Sequence, residues 1–148
     1  MSSSDCGYAC LAMIVAWHGG HVTLAQLRAQ AGEPRGGTRV GEVVELSRRY
    51  DLQSEAMRFE RPAWSEIPRG SILHVEGSHY VVFDRMRSGG FDVIDPAAGR
   101  RWLPPDVLEN AFEGVVVTLA PTPDFAPGHD HRSPFARYSV VLRGCAFG

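Results

Sequence analysis

The chain has 148 residues, 44% hydrophobic and 22% charged, a length and balance that suit one domain burying its own core. Its formal net charge is -2 and no face is concentrated in basic residues, which argues against a nucleic-acid partner. Three cysteines, Cys6, Cys10 and Cys145, are too few and uneven for a disulfide framework and fit a reducing compartment; no apolar run is long enough to span a bilayer, and the N-terminus lacks the charged and apolar regions of a signal peptide.

The first helix is expected from about Asp5 to His18. Cys6, Ala9, Cys10, Met13, Ile14 and Trp17 recur at helical spacing as one face. Leu11 and Val15 carry the apolar surface further round, so this helix should be central. Ser4 or Asp5 can cap its start, and Gly19-Gly20 stop it. The second helix has a better-marked start: Thr23 and Gln26 form a capping box, and Val22 with Leu27 a hydrophobic staple. Gly32 ends it, and Pro34-Arg35-Gly36-Gly37 is a loop. A third helix is expected over about Thr38 to Tyr50, with Val40, Val43, Val44 and Ser47 inward.

The period then changes. Leu52 to Phe59 reads as a weak strand, and Pro62 to Pro68 as a connection with a helical turn. Ser71 to Val75 and His79 to Asp84 are strands, and Phe91 to Asp95 pairs with the latter across Ser88-Gly89-Gly90. Pro104-Pro105 opens a short helix reaching about Phe112. Gly114 to Leu119 is the last strand. Helices first and strands after predict an α+β fold, a helical lobe on a mainly antiparallel sheet. The domain is expected over residues 1–120. From Pro121 to Pro134 the chain is rich in proline, histidine and aspartate, then turns apolar at Tyr138 to Leu142. Residues 121–148 therefore read as a linker.

Cys6 is the candidate nucleophile. A helix N-terminus offers unpaired N–H groups and partial positive charge, both of which favour a thiolate. A buried structural cysteine is the competing reading, and the one preferred for Cys10 a turn deeper. The two cysteines lack nearby partners for a four-ligand metal site, so no metal is expected. The base must be a histidine held by a third group. Of six histidines, His18 and His21 lie a helix length from Cys6, His129 and His131 fall in the tail, and His74 sits in an apolar strand. His79 starts the strongest strand. Hairpin pairing brings it within about one residue of direct register with Asp95, where facing Cβ atoms stand about 4.5–5.5 Å apart. Asp95 precedes Pro96 and is held extended, so it can orient the imidazole. Asp84 and Asp92 are rival acids nearer the turn, read as solvated hairpin charges. The competing reading of His79–Asp95 is an exposed ion pair of little worth.

Asp5-Cys6-Gly7-Tyr8-Ala9-Cys10-Leu11-Ala12-Met13 resembles the nucleophile motif of the bacteriocin-processing cysteine peptidase domains of peptidase-containing ABC transporters. His79-Tyr80-Val81-Val82 resembles their histidine motif and Asp95-Pro96-Ala97-Ala98-Gly99 their aspartate motif. The likeness runs over about residues 5–120. It implies a papain-like fold and cleavage of a leader peptide after a Gly-Gly pair, small residues suiting a narrow cleft. Cys6 would be nucleophile, His79 general base and acid, and Asp95 the orienting acid. The resemblance also implies transmembrane and ATP-binding domains in the same transporter, with ATP belonging to those domains and no cofactor in this one. The chain would then be a cytoplasmic domain of a bacterial plasma-membrane transporter, with its tail running toward the first membrane helix. The family's oxyanion glutamine stands six residues before the cysteine, a position that falls before Met1; Gln26, Gln30 and Gln53 do not match it. A domain of this fold that docks export substrate without cutting it is the alternative, and a cell-wall amidase is a third reading.

Overall fold

A computed structural model describes residues 5–31 and 39–125. Helices α1 (Cys6–Trp17), α2 (Leu24–Ala31) and α3 (Val40–Arg49) come first. Strands β1 (Leu52–Arg58), β2 (Ser71–Val75), β3 (His79–Arg87), β4 (Gly90–Asp95), β5 (Gly99–Leu103) and β6 (Phe112–Pro121) follow, with α4 (Pro105–Ala111) before the last. They form one sheet in the order β1-β6-β2-β3-β4-β5, every neighbouring pair antiparallel. The α+β fold expected from the sequence is the one observed.

Every residue of α1 from Cys6 to Ala16 is buried, which the all-round apolar sequence demands. Trp17 departs from the expected inward face. It is exposed, and the Arg69 guanidinium lies 5.5 Å from its ring centroid. The helix stops as Gly19-Gly20 predict. Gly19 takes φ 90° and donates to the Ala16 carbonyl (3.0 Å), while Gly20 donates to Val15 (2.9 Å), the two bonds of a left-handed glycine cap. Asp5 makes no side-chain cap bond. Its carboxylate instead takes a fork from Arg28 of α2, with Nε to Oδ1 at 2.8 Å. Ser4 and Gly32 lie outside the described residues.

The capping box of α2 forms in both directions: Thr23 N–H donates to Gln26 Oε1 (2.8 Å) and Gln26 N–H to Thr23 Oγ1 (3.1 Å). Val22 and Leu27, the staple, are both buried. In α3 the buried residues are Val43, Leu46 and Ser47, with Val40 and Val44 packed at the margin of the core.

Successive strand residues point to opposite faces, and the core divides accordingly. Ile72, Val82, Ile94 and Val117 join α1 and the other N-terminal helices in one cluster. Leu73, Phe83, Val93 and Val116 join Trp64, Ile67 and Leu108 of α4 in another. β6 inserts between β1 and β2, with Leu52 opposite Pro121 and Leu73 opposite Val116. Phe125 packs edge-on to His18 at 6.2 Å.

The β3–β4 hairpin is longer than expected. Arg87 pairs with Gly90, so the loop is Ser88-Gly89 alone, with φ of 51° and 75°. Positive φ at both positions makes the tight turn that matches strand twist. Trp102 of β5, exposed on its outer surface, donates its indole N–H to the Arg87 carbonyl (2.7 Å). A Cβ at Gly90 would lie 2.5 Å from the Leu103 carbonyl oxygen and press into the Trp102 ring. Gly90→Ala is therefore expected to destabilise the domain by about 1–3 kcal/mol through overpacking, read from the shift of its urea midpoint at constant slope.

Candidate active site

Three elements meet where α1 begins and two strands end. Cys6 is the first residue of α1 and is buried. The first-turn N–H groups of a helix have no partner within it, so the sulfur stands beside open donors and the positive end of the helix dipole. α1 packs against β3, and Cys6 at its first residue comes near enough to His79, the first residue of β3, to act on its charge.

His79 opens β3 after the turn Glu76-Gly77-Ser78, where Gly77 has φ 80° and Ser78 φ 58°. A non-glycine residue in that region costs on the order of 1–3 kcal/mol, so strain is stored one residue from the imidazole. His79 Nε2 lies 2.7 Å from Asp95 Oδ1. With Nε2 so engaged, Nδ1 is the nitrogen left to face the Cys6 thiol, one of the groups that raise the His79 pKa. The Asp95 bond holds the ring.

Asp95 is not in the register expected of it. Val82 faces Ile94 and Phe83 faces Val93, so one step on Asp95 falls opposite Val81, two residues from His79 rather than within one. Residues two apart share a face, and diagonal neighbours about 7–8 Å apart remain in reach of long side chains. The carboxylate closes that gap. Its Oδ1 also accepts the Ala97 N–H at 2.8 Å, an Asx turn around Pro96 that aims the oxygen at the ring.

Charge follows the geometry. His79 is pushed up to about 10, first by its hydrogen bond to Asp95 and then by that to Cys6, against the opposing pull of partial burial. Burial raises Asp95, but hydrogen bonds from His79 and the Ala97 N–H outweigh it and hold the carboxyl below its ordinary range. The imidazolium is thus the favoured form at neutral pH.

Of the two rival acids, Asp84 is placed differently from expectation. Asp84 is not a solvated hairpin charge. It is 3% exposed and accepts from Arg69 Nε at 2.9 Å and Arg100 Nη1 at 3.0 Å. Asp92 is engaged by Arg87, with Nε to Oδ2 at 2.7 Å, and more loosely by Arg85. Of the other histidines, His74 stacks on Tyr80 at 4.9 Å, His18 lies against Phe125 and His21 is exposed; His129 and His131 lie outside the described residues. Cys10 is buried one turn deeper in α1. Gln26 is spent on the α2 cap, and Gln30 accepts from the Tyr50 hydroxyl. Among the described residues no group of three or more His, Cys, Asp or Glu side chains could hold a metal ion, and no helix is long and apolar enough to cross a membrane.

A family model described as the Peptidase C39 family matches residues 1–124. The chain belongs to that family. The sequence resemblance is thereby upheld, and the architecture is the papain-like one of C39 peptidase domains. A double glycine motif protease from an AMS/PCAT transporter, solved in complex with the leader peptide, superposes at a TM-score of 0.75 with 29% identity, over 82% of this chain and 88% of that one. The peptidase domain of Streptococcus ComA, a bifunctional ABC transporter involved in a quorum-sensing pathway, gives a TM-score of 0.75 at 20% identity over 82% of this chain and 95% of that one. The probable microcin-H47 secretion/processing ATP-binding protein MchF of Escherichia coli is 27% identical over 83% of this chain, which spans only 18% of that protein. The pediocin PA-1 transport/processing ATP-binding protein PedD of Pediococcus acidilactici is 28% identical over 89% of this chain and 19% of its own length.

Proposed function

We propose that this C39 domain is a cysteine endopeptidase that removes the leader of a bacteriocin-type precursor after a Gly-Gly pair, with Cys6 as nucleophile, His79 as acid and base, and Asp95 as its orienter. The observation that carries this reading is one imidazole hydrogen-bonded to a carboxylate and close enough to the thiol at a helix mouth for that thiol to raise its pKa. The relatives' names add secretion and processing, and the leader-bound neighbour adds a substrate class.

The chemistry runs in two halves. The Cys6 thiolate attacks the carbonyl carbon of the second glycine, forming a C–S bond and an oxyanion. The Cys6 N–H, in the open first turn of α1, is a donor for that oxyanion. The His79 imidazolium then gives its Nδ1 proton to the leaving nitrogen as the C–N bond breaks, and the mature peptide departs with a free amine. Neutral His79 takes a proton from water, whose oxygen attacks the thioester carbonyl. The C–S bond breaks, the leader leaves with a new carboxylate, and the thiolate–imidazolium pair is restored. Asp95 keeps its proton state throughout and holds the ring by Nε2. No cofactor enters these steps.

In this reading the peptidase domain is residues 1–120, and residues 121–148 lead toward transmembrane and ATP-binding domains of one transporter, with the site on the cytoplasmic side. ATP is consumed there and not here. Incubating the chain with a synthetic precursor containing Gly-Gly should yield one cut, after the second glycine, identified by mass. Intact precursor with saturable binding would favour docking without cleavage instead.

A further inference from the structure

The β3–β4 ladder contains a one-residue irregularity beneath the site. From the turn inward, Arg87 faces Gly90, Met86 faces Phe91 and Arg85 faces Asp92; then Phe83 faces Val93 and Val82 faces Ile94. Between Phe83 and Arg85 the strand β3 advances two residues while β4 advances one. Asp84 is the extra residue of a β-bulge.

Its consequence follows from counting. A slip of one residue moves a strand's side chains to the other face. Were the turn-proximal register continued without the bulge, Asp95 would fall opposite Val82. Val82 belongs to the face that packs on α1, and His79 has the opposite parity. With the bulge, Asp95 falls opposite Val81, on the same face as His79, and the 2.7 Å contact becomes possible. The tight Ser88-Gly89 turn and the His79–Asp95 pair are compatible only because one residue is absorbed between them.

We infer that Asp84 is a positioning residue: clamped in the bulge by Arg69 and Arg100, it holds the register that places Asp95 against His79. The clamp draws on three parts of the fold. Arg69 precedes β2, Asp84 lies in β3 and Arg100 in β5. The Asp84 side chain is 5% exposed, whereas both arginine side chains are 60% exposed. A carboxylate buried on a bulge is held there by paired charge; replacing one arginine leaves it the other partner, whereas replacing both leaves it buried without either guanidinium. Two groups act on the His79 charge, Asp95 of β4 and Cys6 of α1; Arg101 of β5 acts on Asp95. The inference rests on the peptidase reading for its importance, but not for its test.

The test is an NMR titration of the His79 ring in the intact, substrate-free chain, wild type beside Arg69→Ala/Arg100→Ala and Asp84→Ala. Positioning and simple electrostatics differ in sign for the arginine variant. Removing two positive charges would by Coulomb's law alone leave His79 unchanged or higher. Loosening the clamp lowers its midpoint from about 10 by roughly one unit or more, because the Asp95 contact lengthens. Asp84→Ala should lower it as well, and Arg69→Lys/Arg100→Lys should restore part of the shift. Cleavage, if the peptidase reading holds, should fall in kcat by up to about 10²-fold with little change in KM, as for misplacement of a reacting group. If Asp84→Ala or the double arginine variant does not fold, the single variants Arg69→Ala and Arg100→Ala, each of which leaves Asp84 one partner, decide by the same sign. A folded arginine variant whose His79 midpoint equals or exceeds that of the wild type overturns the inference, whatever happens to cleavage. Absence of cleavage in the wild type would instead count against the peptidase reading and leave this result standing.

Discussion

Cys6→Ala is expected to abolish leader cleavage while leaving the fold intact. The loss should approach the roughly 10⁶-fold in kcat recorded when a serine peptidase loses its nucleophile. Cys6 lies at the first turn of a helix whose next ten residues are all buried, so the core does not depend on its sulfur. Replacing SH by H at that one buried residue leaves a small void, costing far less than the large-to-small changes that cost several kcal/mol. Thermal unfolding should therefore stay within a few degrees of wild type while product falls below detection. His79→Ala should come close to the same loss, because thiolate formation and amine departure both use its proton. Turnover retained by Cys6→Ala would remove the nucleophile assignment altogether.

Asp95→Asn is the second large effect, and its signature is a shift in pH dependence. In the folded chain His79 sits near 10, with the Asp95 hydrogen bond as the first cause. A rate that needs the imidazolium should hold through neutral pH and fall as pH rises through about 10. Asparagine removes the negative partner and can present an amide N–H to Nε2, favouring the wrong tautomer. The alkaline limb should move down toward the ordinary 6.5, and kcat should fall by up to about 10⁴-fold, the cost of the same change in a Ser–His–Asp site. Stability follows the same sign. A folded-state value above the unfolded one stabilises the protein fully below 6.5, and that contribution is lost as pH rises from 6.5 through about 10. Asp95→Asn should flatten that alkaline loss. An unchanged alkaline limb would mean that Asp95 does not set the charge of His79.

How far these residues could be read in advance varied with the kind of signal each carries. Local signals survived folding. The Thr23–Gln26 box, the Gly19-Gly20 stop and the bounds of β2 depend on neighbours within a few residues, and each formed as written. The all-round apolar character of α1 correctly placed it at the centre. Signals that depend on distant pairing did not come through. β5 escaped notice because Gly99-Arg100-Arg101-Trp102-Leu103 is an edge strand with three exposed residues in the middle, which erases the alternation that marks a half-buried strand. Asp84 looked like a hairpin charge, since nothing adjacent to it in sequence reveals that Arg69 and Arg100 converge on it.

The candidate site shows the same division. His79 and Asp95 could be named as partners, but the register that joins them could not be counted correctly. Counting out from the Ser88-Gly89 turn places Asp95 opposite Val82, three residues from His79, and the bulge, which has no compositional mark, brings it to Val81, two residues away. Asp5 offers a smaller instance. It stands where a cap belongs, yet a guanidinium from α2 captured it instead, because a bidentate fork adds a second charge-assisted bond and an opposite charge to what one cap bond offers.

Covalent capture would show whether Cys6 is the nucleophile that His79 activates. A peptide ending in Gly-Gly chloromethyl ketone, incubated with the chain near neutral pH and mapped by mass spectrometry, places an alkylating carbon where the scissile carbonyl would sit. The account predicts one adduct, on Cys6, formed at least about tenfold more slowly in His79→Ala, since the thiolate is the nucleophile. An adduct on Cys10 or Cys145 instead, or a Cys6 adduct formed equally fast without His79, would contradict it.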